Sequence, residues 1–147
     1  MEKQVLISIR SSQSVEGQND EPTELISRGI YSYSPEEQKL SYMESELTGL
    51  EGTMTEFVVR PEQIVLSRTG AVTSRMVFSR GPRQSFVYDT PYGAMTMGMD
   101  THVLTSKMEE SGGDIRIEYD LSFENVLLSR NKFSISIKET SEKEQEI

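Results

Sequence analysis

Three methionines at every second position, Met95, Met97 and Met99, are the first residues of this chain to invite a chemical reading. Thioether sulfur is a soft ligand suited to Cu(I). The spacing works against a single ion, because side chains two apart on an extended strand stand roughly 7 Å from one another. A metal gathers its donors within about 2 Å. The only imidazole, His102, has the opposite parity and is expected to face outward unless a bulge at Gly98 shifts the register. Methionine fills irregular apolar space well. The row is therefore read as core or as the wall of a pocket, and no metal is expected.

Acid–base and nucleophilic chemistry find equally little support. Glu44 and Glu46 share a parity, as a general acid and base would need, but nothing in the pattern places them across a cleft. Glu109 and Glu110 read as a solvated strand end. His102 has no cysteine to activate and no Gly-x-Ser-x-Gly elbow to serve. The run "SRTGAVTSR" carries one glycine and reads as a hairpin turn, not as a phosphate loop. No catalytic residue and no cofactor is expected, so the chain is read as a non-enzyme. One polar pair stands out. Glu44 follows Leu40 and Tyr42 at period two, and Arg68 follows Ile64 and Leu66 in the same way. Both point where apolar residues point, and an inward charge needs a partner because an unpaired buried ion is costly. Glu44 and Arg68 are expected to pair, either in water at a strand end or as the polar anchor of a pocket.

The elements that position these residues are strands. Period-two alternation recurs at 4–10, 24–34, 39–47, 53–60, 63–68, 74–80, 83–90, 93–108, 114–128 and 132–138. Gly, Pro, Asn and Ser cluster between most of these runs, as turns require. Ten short-linked antiparallel strands leave two edges unless the sheet closes on itself, so the expected fold is all-β, a single antiparallel up-and-down β-barrel of about ten strands. A two-sheet sandwich is the alternative. The barrel domain is expected to span 1–138, followed by a frayed charged tail at 139–147, where four Glu outnumber one Lys. Alternation assigns one face to Val5, Ile7, Ile9, Leu40, Tyr42, Ile64, Leu66, Met76, Phe78, Phe86 and Tyr88. The same face holds Met95, Met97, Met99, Ile115, Ile117, Tyr119, Leu121, Phe133, Ile135 and Ile137. All three methionines are thus expected to be buried.

Composition bounds the rest. The formal charge of −9 repels phosphate backbones and anionic lipids, so neither nucleic acid nor membrane is expected as a partner. Arg75, Arg80 and Arg83 lie close in sequence and read as a solvated strand end. Cysteine is absent, which excludes disulfides and thiolate sites and fits a reducing compartment. The first ten residues lack the apolar stretch of a signal peptide, and no apolar run approaches the length of a membrane span. The expected location is the cytoplasm.

The segments "LSYMESELTGLEGTMTEF", "RMVFSRG", "YDTPYGAMTMGMDTHVL" and "IEYDLSFENVLLSRNKFSISI" resemble the bacterial YwiB-like family. The resemblance runs from about residue 4 to 138, with Tyr88, Thr90, Pro91, Tyr92 and Gly93 before the methionine row as its most specific piece. It implies a lipocalin-like (calycin-type) barrel in a bacterial cytoplasm and brings no activity, cofactor or catalytic residue. The function expected is binding of a small, partly apolar ligand inside the barrel. Tyr42, Tyr88, Tyr119, Met95, Met97 and Met99 would form its walls, and Glu44, Arg68 and Thr101 its polar anchors. The other reading is a barrel filled by its own side chains, acting through its outer surface as a protein-interaction or structural module. The oligomeric state stays open.

Overall fold

The structure, a computed structural model, describes residues 2–15, 18–19, 22–45, 50–71, 73–79, 83–90 and 93–140, with the backbone alone at 18–19 and 88–90. Along the chain come β1 (Glu2–Val15), β2 (Gln18–Asn19), β3 (Thr23–Tyr33), β4 (Gln38–Met43), β5 (Thr53–Arg60) and β6 (Gln63–Gly70). Then follow β7 (Thr73–Ser79), β8 (Gln84–Thr90), β9 (Gly93–Glu109), β10 (Gly112–Phe123) and β11 (Val126–Glu139). Every element is a strand, and no described helix is long and apolar enough to cross a membrane.

Neighbours in sequence are neighbours in the sheet from β3 to β11, and β1 pairs with both β3 and β11. That last ladder joins Val5–Ser14 to Arg130–Glu139 and closes a ten-stranded antiparallel barrel, to which the two residues of β2 add a short flap on β1. Closure is incomplete at two seams. β3 meets β4 only over Ile30–Tyr33. β7 meets β8 only at Thr73 and Ser74, with a Gln84-to-Ser79 hydrogen bond spanning the hairpin beyond. β11 runs through Glu139, and the Thr140 amide and hydroxyl both donate to the Gln4 carbonyl. The rest of the expected tail, 141–147, lies outside the described residues.

One face of each strand is buried because the barrel encloses it. Tyr31, Phe57, Phe78, Ile7, Leu40, Ile64, Leu66, Ile115, Ile117 and Ile135 are fully buried side chains of one continuous cluster. Phe78 packs tilted on Tyr119 with centroids 4.9 Å apart, and Tyr119 stacks on Phe133 at 6.2 Å. Across the far end, the Tyr31 hydroxyl donates to the Glu109 carbonyl at 2.7 Å and ties β3 to β9. Where β4 swings over β3, only glycine fits. A Cβ on Gly29 would stand 2.4 Å from Ile7 Cδ1 and 2.6 Å from the Ser41 carbonyl oxygen.

Two expectations are corrected. The hairpin placed after residue 128 turns instead at Glu124–Asn125, whose φ values of 50° and 66° make a two-residue turn between Phe123 and Val126. The sequence hides it because Val126, Leu127 and Leu128 continue an apolar run. A bulge between Leu121 and Ser122 leaves these three at the surface. The second correction is Met95. It is 44% exposed, while Met97 and Met99 are buried. β10 pairs with β9 only from Gly98 onward, so 93–97 project past its end with β8 as the only paired strand. Parity put Met95 on the inner face, but it lies three residues beyond the β10 ladder, further out than Met97, which is next to that ladder.

β9 runs in regular register at Gly98 and carries its bulge at His102. Val103 faces Glu118 and Thr101 faces Tyr119, so His102 is the extra residue. Inward positions therefore pass from odd (Met97, Met99) to even (Leu104, Met108) along one strand. His102 itself stays outside, with Nε2 2.9 Å from Asp120 Oδ2.

These placements separate two methionines two turns of the pleat apart. Met99→Ala should lower the unfolding free energy by about 2–5 kcal/mol, the range for large apolar side chains cut from packed cores. Met95→Ala should change it by no more than about 0.5 kcal/mol, as for surface positions. Urea denaturation followed by circular dichroism reads both.

Candidate functional site

The inward face is apolar over most of its height and polar near one end. There β4, β5, β6 and β7 lie side by side, and their registers set Tyr42 beside Thr55, Thr55 beside Arg68 and Arg68 beside Ser74. Because these are directly opposed positions, all four side chains point to the same face. Beyond Met43 the Glu44 amide still donates to the Thr53 carbonyl at 2.9 Å, which carries the ladder one residue further and turns the Glu44 side chain inward.

Glu44 and Arg68 meet as their parity requires. Arg68 Nε stands 3.9 Å from Glu44 Oε2, with the two side chains 17% and 3% exposed. This is an ion pair in which the guanidinium nitrogen is too far for a hydrogen bond. Thr55 Oγ1 holds the same carboxylate oxygen with a hydrogen bond of 2.5 Å. The pair is buried, with Glu44 just beyond the end of β4.

Burial pushes the Tyr42 phenol far above its ordinary value; the neighbouring Glu44 carboxylate, as charge and as acceptor of its proton, adds to this, and Arg68 and Thr55 oppose it. Tyr119 is pushed up to about 12, by burial, with the Arg68 charge pulling it down. Tyr31, in the far half of the barrel, is also raised to about 12, first by burial and then by Tyr33 and Glu109. Arg68 therefore faces both tyrosines electrostatically, and both stay neutral at physiological pH.

Three buried polar atoms of this end have no hydrogen-bond partner among the described residues: Thr53 Oγ1, Arg68 Nε and Ser74 Oγ. They lie on consecutive strands. Buried polar groups are nearly always paired, so a run of three along adjacent strands is unusual. Chemically the set offers two hydroxyls, one cationic N–H and an already engaged carboxylate. It can bind an acceptor group; it contains no nucleophile–base pair. Among the described residues no three His, Asp or Glu side chains cluster as metal ligands.

Of the residues named from sequence, Tyr42, Glu44 and Arg68 come together, and Tyr119 lies within electrostatic reach of Arg68. Met97 and Met99 are buried, and Thr101, opposite Tyr119, is half-buried. Met95 falls outside the group. The Tyr88 side chain lies outside the described residues, although its backbone pairs with Ser74 and Met95. Sequence reading missed Thr53, Thr55 and Ser74. Ser74 was within reach, since it shares the parity of Met76 and Phe78. Thr53 and Thr55 were not, because "TMTEFVVR" carries apolar residues at both parities.

Two predictions follow from burial of charge and phenol. Arg68→Met should cost about 3–5 kcal/mol by leaving the Glu44 carboxylate buried without its cation. Adding Glu44→Leu should recover most of that loss, as a double-mutant cycle in urea would show. Alkaline titration tests the tyrosines. A phenol whose folded pKa is raised keeps its proton while the unfolded chain loses it, so stability is intact below pH about 10 and falls as pH rises toward about 12. Absorbance of tyrosinate should therefore show Tyr31, Tyr42 and Tyr119 ionising late, together with unfolding.

A family model described as a domain of unknown function, DUF1934, matches residues 7–135. The fold is shared with the crystal structure of the ywiB protein from Bacillus subtilis, at a TM-score of 0.83 and 22% identity, covering 95% of this chain and 94% of that one. Among curated proteins, none matches.

Proposed function

We propose, for a chain that belongs to the DUF1934 family, that the barrel is a non-catalytic binder of a small, partly apolar molecule held at the polar end of its interior. The observation that carries this reading is the row of buried atoms on Thr53, Arg68 and Ser74 that lack a hydrogen-bond partner among the described residues. A protein that only needed a packed barrel would be more stable with apolar side chains there, because each unsatisfied buried polar group costs about 1–3 kcal/mol. A guest with an acceptor such as a carbonyl or carboxylate would satisfy Arg68 Nε and the two hydroxyls. Its apolar part would lie toward Met97, Met99 and Tyr119. Tyr31, Phe57 and Phe78 fill the interior as fully buried side chains, so the guest is small and sits near the polar end. Lipocalin-like barrels hold one small ligand inside, and the cysteine-free chain suits a cytoplasmic setting.

Native mass spectrometry of freshly purified protein tests the reading. The expected result is a small molecule retained under gentle ionisation and lost on unfolding. Ser74→Ala should reduce its retention while leaving stability unchanged or slightly higher, since it removes an unpartnered buried hydroxyl. If Ser74→Ala instead destabilises the protein and no small molecule accompanies the wild type, the polar row is structural and the proposal fails.

A further inference from the structure

The two edges of β3 have different fates. One is paired with β1 from Thr23 to Ser32. The other meets β4 only from Ile30 onward, so along 23–29 it faces no strand among the described residues. An open edge of this length is a template for another strand, and proteins blunt such edges with charges, proline, a bulge or a covering segment. Among the described residues nothing covers this one, and its two outward charges are of opposite sign. Its outward side chains are Glu24, Ile26 and Arg28, all exposed, and Ile26 is 73% exposed, the most of any large apolar side chain described. Glu24 and Arg28 have opposite charge, stand symmetrically about Ile26, and neither has an ion-pair partner among the described residues. At the Gly29 end a cleft of about 520 Å³, lined by Arg28, Ile30, Met43 and Met54, leaves room beside the strand.

We infer that this edge pairs with the same edge of a second copy of the chain, antiparallel and about a two-fold axis through Ile26. In that register Ile26 lies against its own equivalent, and each Glu24 faces the Arg28 of the other copy. Opposite charges directly across a strand pair stabilise it, and like charges oppose it. Shifting the register by one residue brings Glu24 against a serine or another uncharged neighbour and moves Ile26 off its equivalent, so the charge pattern selects one alignment. The contact is isologous, hence closed at two copies and not fibre-forming. A short edge buries little area, so association is weak, roughly micromolar, and depends on concentration.

Sedimentation velocity across a dilution series, at low and high salt, tests this. The wild type should pass from monomer to dimer, and salt should weaken the dimer. Glu24→Arg and Arg28→Glu, each alone, place like charges at both ends of the pairing and should raise the dissociation constant roughly tenfold or more. Mixing these two variants should restore a one-to-one dimer, because each Arg then faces a Glu. Circular dichroism of each variant checks the fold, and Arg28→Glu is the safer of the two, since Arg28 lies across from Leu6 whereas Glu24 lies across from Arg10. A wild type that stays monomeric throughout, or a dimer indifferent to both substitutions, or variants whose mixture stays as dissociated as each alone, would overturn the assignment.

Discussion

Everything in this molecule depends on the pairing of its first long strand with its last. Ten residues of β1 run antiparallel to ten of β11, and the partners are more than a hundred residues apart in the chain. Without that ladder the sheet would present two long edges and an inner face open to water. With it, each inward side chain faces others across a closed interior, and period-two alternation becomes a partition between core and surface. The buried ion pair, the raised tyrosines and the methionine row are consequences of being enclosed, not independent features.

The pattern of the chain revealed this architecture because burial on one face leaves a period-two trace in nearly every strand. Val5, Ile7 and Ile9, or Ile115 and Ile117, announce their side plainly. The trace fails where the backbone breaks its own period. At His102 one extra residue reverses which parity points inward, and no residue type near it signals this. At Glu124–Asn125 a two-residue turn interrupts an apolar run. Met95 shows a different limit. Its parity was read correctly, but burial also depends on how far the β10 ladder reaches, and where β10 ends is a property of the assembled sheet. The Glu44–Arg68 pair was legible because charge on an apolar parity is rare enough to demand a partner. Its neighbours Thr53 and Thr55 were not, since small hydroxyls are at home on either face.

The polar end and the open β3 edge represent two different departures from a maximally stable barrel. The first places unpartnered hydrogen-bonding groups inside, which weakens the fold unless something answers them. The second leaves backbone hydrogen-bonding groups unpaired at the rim, which invites company from outside. Gly29 connects the two. It lets the Ser41 carbonyl and Tyr42 of β4 lie close against β3, and it is the residue next to Ile30, where the ladder shared with β4 stops and the open edge begins.

The distribution of methionine has a consequence for chemical durability. With no cysteine in the chain, thioethers are the readily oxidised sulfurs it has. Met43, Met54 and Met95 stand at the surface, whereas Met76, Met97 and Met99 are shielded. An oxidant in solution therefore meets the outer three first, and it reaches the shielded ones only when the barrel opens. Conversion of the outer ones to the sulfoxide is of the kind that sulfoxide reductases reverse. A barrel so arranged ages from the outside, and its interior stays chemically young for as long as it stays closed.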